Sequence, residues 1–295
     1  MTQTITTEKK GKESTGILLV LVATISLSTE AIAAKIAYRE GAGVMTTLFL
    51  RYAVAAFFFW AEMIISKRPW KLSRSRITSV AALALGGQSV TVLCLFYAFK
   101  YIPAAMAILF LYVYPTIVTL LSYFLLKEPL TWRKMTALFM TLAGCTVILG
   151  QPVHGLDPRG VILALGAAVM NAIFLVGSTR LLADIPVPVY NAYMTGIVAL
   201  FFLGLGSIKG ALNFSLNLQA WEAVLFLGLI CTVLSLAALF RGVEIIGASR
   251  AAIISTFEPV STALLGFWLL QETLTGWQLL GGALVVTGVM LQSRE

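Results

Sequence analysis

The sequence predicts an all-α integral membrane protein of ten transmembrane helices, built as two inverted five-helix repeats. Three observations predict it: scarcity of charge, ten apolar runs of bilayer length, and a self-match at an offset of 144 residues. Only 12% of the 295 residues are charged and 59% are hydrophobic, with a mean hydropathy of +0.92. A soluble domain carries about 25% charged residues, so the solvent around most of this surface must be lipid. The three cysteines, Cys94, Cys145 and Cys231, lie inside apolar runs and show neither disulfide nor metal-ligand spacing. The net charge of +8 does not point to nucleic acid, because most basic residues sit in short loops between apolar segments.

A helix needs about 20 apolar residues to cross a 30 Å hydrocarbon core. Runs of this kind cover residues 16–36, 44–65, 77–98, 103–125, 132–149, 159–180, 188–206, 219–240, 248–270 and 275–292. They lack the period-2 alternation of a barrel strand. Residues 1–15 read as a cytoplasmic tail, 16–150 as the first repeat and 159–292 as the second. Lys9, Lys10 and Lys12 precede the first run, and Ala31-Ile32-Ala33 resembles a signal-peptidase site, but the run is read as a retained first helix.

Ten spans put both termini on one side. With that side cytoplasmic, 15 Lys/Arg fall inside and 5 outside, a strong positive-inside bias, while Arg51 lies within a span. Trp132, Trp221, Trp268 and Trp277 fall near helix ends, where an aromatic belt belongs.

Residues 101–148 laid on 245–292 give 12 identities in 48 without a gap. They include Ala104/Ala248, Pro115/Pro259, Glu128/Glu272, Thr131/Thr275 and Gly144/Gly288, and the same shift pairs Gly16 with Gly160. Five spans per repeat, an odd number, turn the second copy upside down. Inverted repeats are characteristic of secondary transporters that alternate access around a midplane site.

The sequence also resembles the EamA-type drug/metabolite transporters over nearly its whole length. The resemblance rests on Arg51 in Phe49-Leu50-Arg51-Tyr52, and on Pro115 followed by Leu120 through Glu128. A second copy is Pro259 followed by Leu264 through Glu272. The seventh helix has no arginine equivalent to Arg51. The resemblance implies export of amino acids or other metabolites across a bacterial inner membrane, and one branch of the family exports aromatic amino acids.

Ionisable groups at membrane depth are costly and are candidate functional groups. Glu30 and Arg51 sit at similar depth on consecutive helices and are expected to pair, either as a structural lock or as a gate. Glu258 falls near the middle of the ninth run, directly before Pro259. A proline removes the bond to the carbonyl four residues earlier, so Pro259 frees Ser255 C=O and Pro115 frees Leu111 C=O. Two kinked helices then meet near the midplane, and broken helices line the site in such folds. Ser26, Gln88 and Asn171 have similar calculated depths. For Gln88 and Asn171 the alternative is hydrogen bonding between helices. The expected cavity is lined by Ser26, Gln88, Tyr97, Tyr112, Tyr114, Asn171, Phe257 and Glu258, with hinges at Pro115 and Pro259. The absence of a midplane cation disfavours phosphorylated substrates.

A membrane enzyme is disfavoured: the sole histidine, His154, is in an outer loop, and no zinc, nucleophile-elbow or phosphate-loop motif occurs. No cofactor or metal is implied. A channel would need a ring of carbonyls or charges, which the sequence does not display. The expected partners are a small-molecule substrate and the lipid bilayer. Gly281, Gly282 and Gly288 on the last helix permit close packing and hint at a homodimer. Apolar or cationic drugs are the alternative substrates.

Overall fold

A computed structural model describes residues 2–67, 71–98, 101–102, 104–149, 156–270 and 276–293. Among these every regular element is helical. Glu272 and His154 lie outside the described residues.

The first half contains α1 (Thr2–Ser28), α2 (Glu30–Arg39), α3 (Val44–Ile65), α4 (Arg74–Ala82), α5 (Val90–Ala98), α6 (Ala104–Leu111), α7 (Tyr114–Leu121) and α8 (Trp132–Leu149). The second contains α9 (Pro158–Leu182), α10 (Val187–Ile208), α11 (Leu218–Gly228), α12 (Ser235–Ile246), α13 (Ala248–Ser255), α14 (Glu258–Leu270) and α15 (Gly276–Ser293). The expected N-terminal tail is instead continuous with the first helix, since α1 is helical from Thr2.

Among the described residues, seven helices are long and apolar enough to cross a membrane: Lys12–Arg39, Val44–Ile65, Arg74–Leu95, Met106–Leu126, Pro158–Leu182, Val187–Ile208 and Leu218–Ile246. The remaining apolar runs form α8, α15, and α13 with α14. Trp132, Trp268 and Trp277 are exposed, as side chains in contact with lipid would be.

Starting positions repeat at one offset. Adding 144 to the first residues of α4, α6, α7 and α8 (74, 104, 114 and 132) gives 218, 248, 258 and 276, the first residues of α11, α13, α14 and α15. Both halves carry a π-helical turn between corresponding helices, Leu83–Ser89 between α4 and α5 and Leu229–Leu234 between α11 and α12. Hydroxyls use the widened turns: Ser89 donates to Ala84 O at 2.9 Å and Thr232 to Leu227 O at 2.8 Å, both across five residues.

Packing obeys the same rule with partners exchanged. Helix α1 lies along α12, and its counterpart α9 lies along α5. At the first contact a Cβ on Gly16 would meet Ile246 at 2.6 Å; just beyond the end of α5, a Cβ on Gly160 would meet Ile102 at 2.7 Å. Helix α3 packs on α10 and α8 on α15. There a Cβ on Gly144 would come within 2.6 Å of Gly281 O, and one on Gly288 within 2.9 Å of Ala137 O. Only glycine permits such backbone approach. Gly281 and Gly288, read from sequence as a hint of a dimer, are thus used by a contact within the chain.

Candidate functional site in the helix breaks

Proline and hydroxyl chemistry set the site. Pro115 and Pro259 lie in the first turns of α7 and α14, where a missing N–H costs nothing. The chain ahead of each tightens into short turns: Val113 N donates to Phe110 O at 3.2 Å, and Phe257 N to Ile254 O at 3.0 Å. The breaks fall at Tyr112–Val113 and Thr256–Phe257, again 144 residues apart. Helices α7 and α13 then pack together, and Ser249 donates to Thr119 Oγ1 at 3.2 Å.

At this junction the Tyr112 hydroxyl hydrogen-bonds the Glu258 carboxylate, and Tyr114 hydrogen-bonds Ser255. The two tyrosine rings are tilted by 33° with centroids 6.5 Å apart. Both tyrosines are buried and Glu258 is half-buried. The Glu258 carbonyl accepts from Ser28 at 3.2 Å and Thr262 at 3.0 Å, tying α14 to the end of α1. Cys145 on α8 approaches from the other side and donates to Thr256 O at 3.8 Å. Phe257 is half-buried against the main apolar core.

One residue on from Ser28, α1 gives way to α2 at Thr29, whose hydroxyl lies 3.3 Å from Cys231 Sγ. Glu30 follows and meets Arg51. Arg51 Nη1 and Nη2 donate to the two Glu30 oxygens at 2.6 and 3.2 Å, and Nε donates to Thr232 Oγ1 at 3.0 Å. Arg51 is 6% exposed, so its charge is satisfied inside the protein. A two-pronged pair of this kind fixes geometry as well as energy. The neighbouring Tyr52 accepts from Gln88 Nε2 at 2.7 Å. Gln88 and Thr232 are 144 residues apart, so matching π-helical turns reach successive residues of α3.

Of the remaining residues singled out in the sequence, Ser26 is buried and returns its hydroxyl to Val22 O at 2.8 Å. Asn171 is half-buried on α9, the helix that packs on α6 and α7. Tyr97 stands apart from the Glu258 cluster: it is 36% exposed near the end of α5, where Lys209 Nζ bonds its hydroxyl at 3.3 Å. Sequence reasoning missed Ser28, Thr232 and Thr262, and of Ser255 it named the freed carbonyl but not the side chain. For Thr232 a signal existed in its offset from Gln88; for the others the signal was only a hydroxyl beside a helix break.

A cleft of about 500 Å³ opens between α2 and α11 at the end of the first span that carries Arg39. Ile32, Ile36 and Phe226 line its walls, Glu40 and Glu222 its rim, and Thr29 its inner end. The expected cavity residues do not line this cleft; its link to them runs through Thr29 to Glu30 and Ser28.

Helices of membrane-crossing length, a twice-repeated layout and a polar cluster at paired helix breaks define a multi-pass membrane transporter. The sequence pattern of the EamA-like transporter family matches residues 14–150 and again 158–294, and the chain belongs to that family. It is similar to an uncharacterized transporter of Archaeoglobus fulgidus, 29% identical over 83% of this chain and 87% of the relative. The uncharacterized transporter YoaV of Bacillus subtilis is 24% identical over 83% and 85%. Protein PecM of Dickeya dadantii is 24% identical over 73% and 72%. A protein of known crystal structure shares the fold, with a TM-score of 0.80 and 22% identity over 94% of this chain and 96% of that one.

Proposed function

We propose that this transporter exports small metabolites, foremost amino acids with aromatic or other apolar side chains, by alternating access around the helix breaks. In this reading the chain has ten spans in two inverted repeats and sits in a bacterial inner membrane with both termini cytoplasmic. The exchange of helix partners between the halves fits a two-fold relation between them, and five spans in each half would turn the second copy over.

The observation that carries the substrate reading is the junction of Glu258, Tyr112 and Tyr114. A zwitterion with an apolar side chain needs an acceptor for its ammonium group, donors for its carboxylate and an apolar wall. Glu258 supplies the first, Gln88 or Asn171 the second, and Phe257 with the tyrosine rings the third. The lone carboxylate also suits a cationic drug, which is the second reading. Counterflow in proteoliposomes separates them, using labelled phenylalanine, tryptophan, threonine and a cationic dye. Movement of phenylalanine or tryptophan supports the amino-acid reading; movement of the dye alone replaces it with the drug-exporter reading.

A further inference from the structure

We propose that the cleft between α2 and α11 binds one phospholipid with an ammonium headgroup, phosphatidylethanolamine. One acyl chain lies along α2, Arg39 holds the phosphate and Glu222 holds the amine. Its occupancy does not depend on which solute the protein carries.

Length and lining point to a lipid tail. The cleft follows α2 from its N-cap, Thr29, to its C-cap, Glu40. Helix from 29 to 40 rises about 16 Å, close to one leaflet, about 15 Å of a 30 Å hydrocarbon core. The walls along that length are apolar: Ile32 and the exposed Ile36 from α2, and the exposed Phe226 from α11. The floor is a seam of two buried alanines, Ala33 and Ala223. At the deep end the Thr29 hydroxyl turns back onto Ser26 O at 2.7 Å, which leaves that end to hydrocarbon. The two helices are tied at both ends of the seam. Thr29 Oγ1 lies 3.3 Å from Cys231 Sγ, and Asn217 Nδ2 donates to Glu40 Oε2 at 2.8 Å. An apolar groove held open and left empty forfeits dispersion contacts along its length. Its volume of about 500 Å³ takes one acyl chain, while the second stays among bulk lipid.

Charge at the rim selects the headgroup. The rim lies where two spans end, Lys12–Arg39 and Leu218–Ile246, and so sits at headgroup level. Arg39 is the rim cation, with 87% of its side chain exposed and a contact of 3.6 Å to Glu40 Oε1. Glu40 is therefore engaged on both oxygens, by Arg39 and by Asn217. Glu222 stands exposed on α11, on the same face as Gln219 one turn away. One cation and two carboxylates sum to −1, which repels a plain anion and suits a headgroup that carries both signs. The Arg39 guanidinium matches a phosphate, and the Glu222 carboxylate accepts from an ammonium. Phosphatidylglycerol offers the same tail and phosphate without the ammonium, so it is the weaker ligand.

Native mass spectrometry of the full chain in detergent tests this, with phosphatidylethanolamine, phosphatidylglycerol and phenylalanine added in turn. Phosphatidylethanolamine should bind the wild-type protein as one tight equivalent, and phosphatidylglycerol more weakly. Glu222→Gln should weaken phosphatidylethanolamine by about fivefold, the scale of one charge contact at a membrane surface, and leave phosphatidylglycerol unchanged. Ile36→Trp, which fills the cleft from an exposed position, should abolish the tight equivalent of either lipid. Glu222→Lys should reverse the preference in favour of phosphatidylglycerol, a gain that a misfolded chain does not show. Equal binding of the two lipids by wild type, or a preference that neither Glu222 variant moves, overturns the proposal. So does phenylalanine binding that Ile36→Trp removes while lipid binding persists, because the cleft then takes a solute and not a lipid tail.

Discussion

Arg51 grips Glu30 through two parallel hydrogen bonds of 2.6 and 3.2 Å while its third nitrogen holds Thr232 in the other half of the chain. One guanidinium therefore fastens α2, α3 and the second π-helical turn together. Breaking a buried pair from one side strands a charge, at a cost of about 3 to 5 kcal/mol, whereas replacing both partners with apolar residues is often near neutral. Glu30→Ala should lower stability by about 3 kcal/mol, and Arg51→Met with Glu30→Leu by much less. Thermal unfolding of the single and double variants in detergent measures both, and equal losses would show the pair to be unimportant to the fold.

Close approach of α8 and α15 gives a second expectation. A side chain at position 144 would press on the Gly281 carbonyl. Gly144→Leu should destabilise by about 3 kcal/mol, near the top of the range for overpacking. Gly86→Ala, where an added Cβ meets no atom within 4 Å, is the control and should change stability by less than about 1 kcal/mol. Parallel melting curves of the two variants test the contrast.

Glu128 of the repeated motif accepts from Ala248 N at 3.2 Å at the start of α13 and pairs with Lys134 at 3.3 Å. Gly247, with φ of +82°, lets the backbone come close to that carboxylate. Glu128→Ala would leave a buried Lys134 unpaired and α13 without its acidic partner. A loss of about 2 kcal/mol is expected, with Glu128→Gln milder because an amide oxygen still accepts. Chemical unfolding monitored by tryptophan fluorescence reads the difference.

Orientation is testable at Ser73, exposed at the start of α4, where it caps Arg76 N at 3.4 Å. Ser73→Cys should resist an impermeant thiol reagent applied to intact cells and react once the membrane is opened. Labelling in intact cells would reverse the proposed topology.

Much of this was legible because membranes simplify the reading. A bilayer forces long apolar runs, and the 144-residue self-match located four pairs of helix starts. The Glu30–Arg51 pair followed from depth alone, since two opposite charges near each other in lipid have few other partners. Its third arm to Thr232 did not follow, because sequence depth gives height in the membrane but not rotation about the helix axis. The π-helical turns were hidden for a related reason: one extra residue in a turn leaves a uniformly apolar run looking the same. Tyr97 was grouped with the Glu258 cluster because aromatic residues near a helix end resemble those near its middle when neighbours are equally apolar. Gly281 and Gly288 of α15 were read as an outward contact, and both face α8 of the same chain, a pairing that spacing along the sequence does not reveal.

The Arg51 fork has no counterpart in the second half. Position 195, its equivalent, is a threonine whose hydroxyl bonds Asn191 O at 2.6 Å, and position 174, opposite Glu30, is Phe174. A carrier assembled from two identical halves would rest equally often facing either compartment, like a coin with one face stamped twice. Under the proposed alternating access, a lock fitted to one half alone would make the two resting poses unequal in free energy and give the carrier a handed idle position before any gradient is applied.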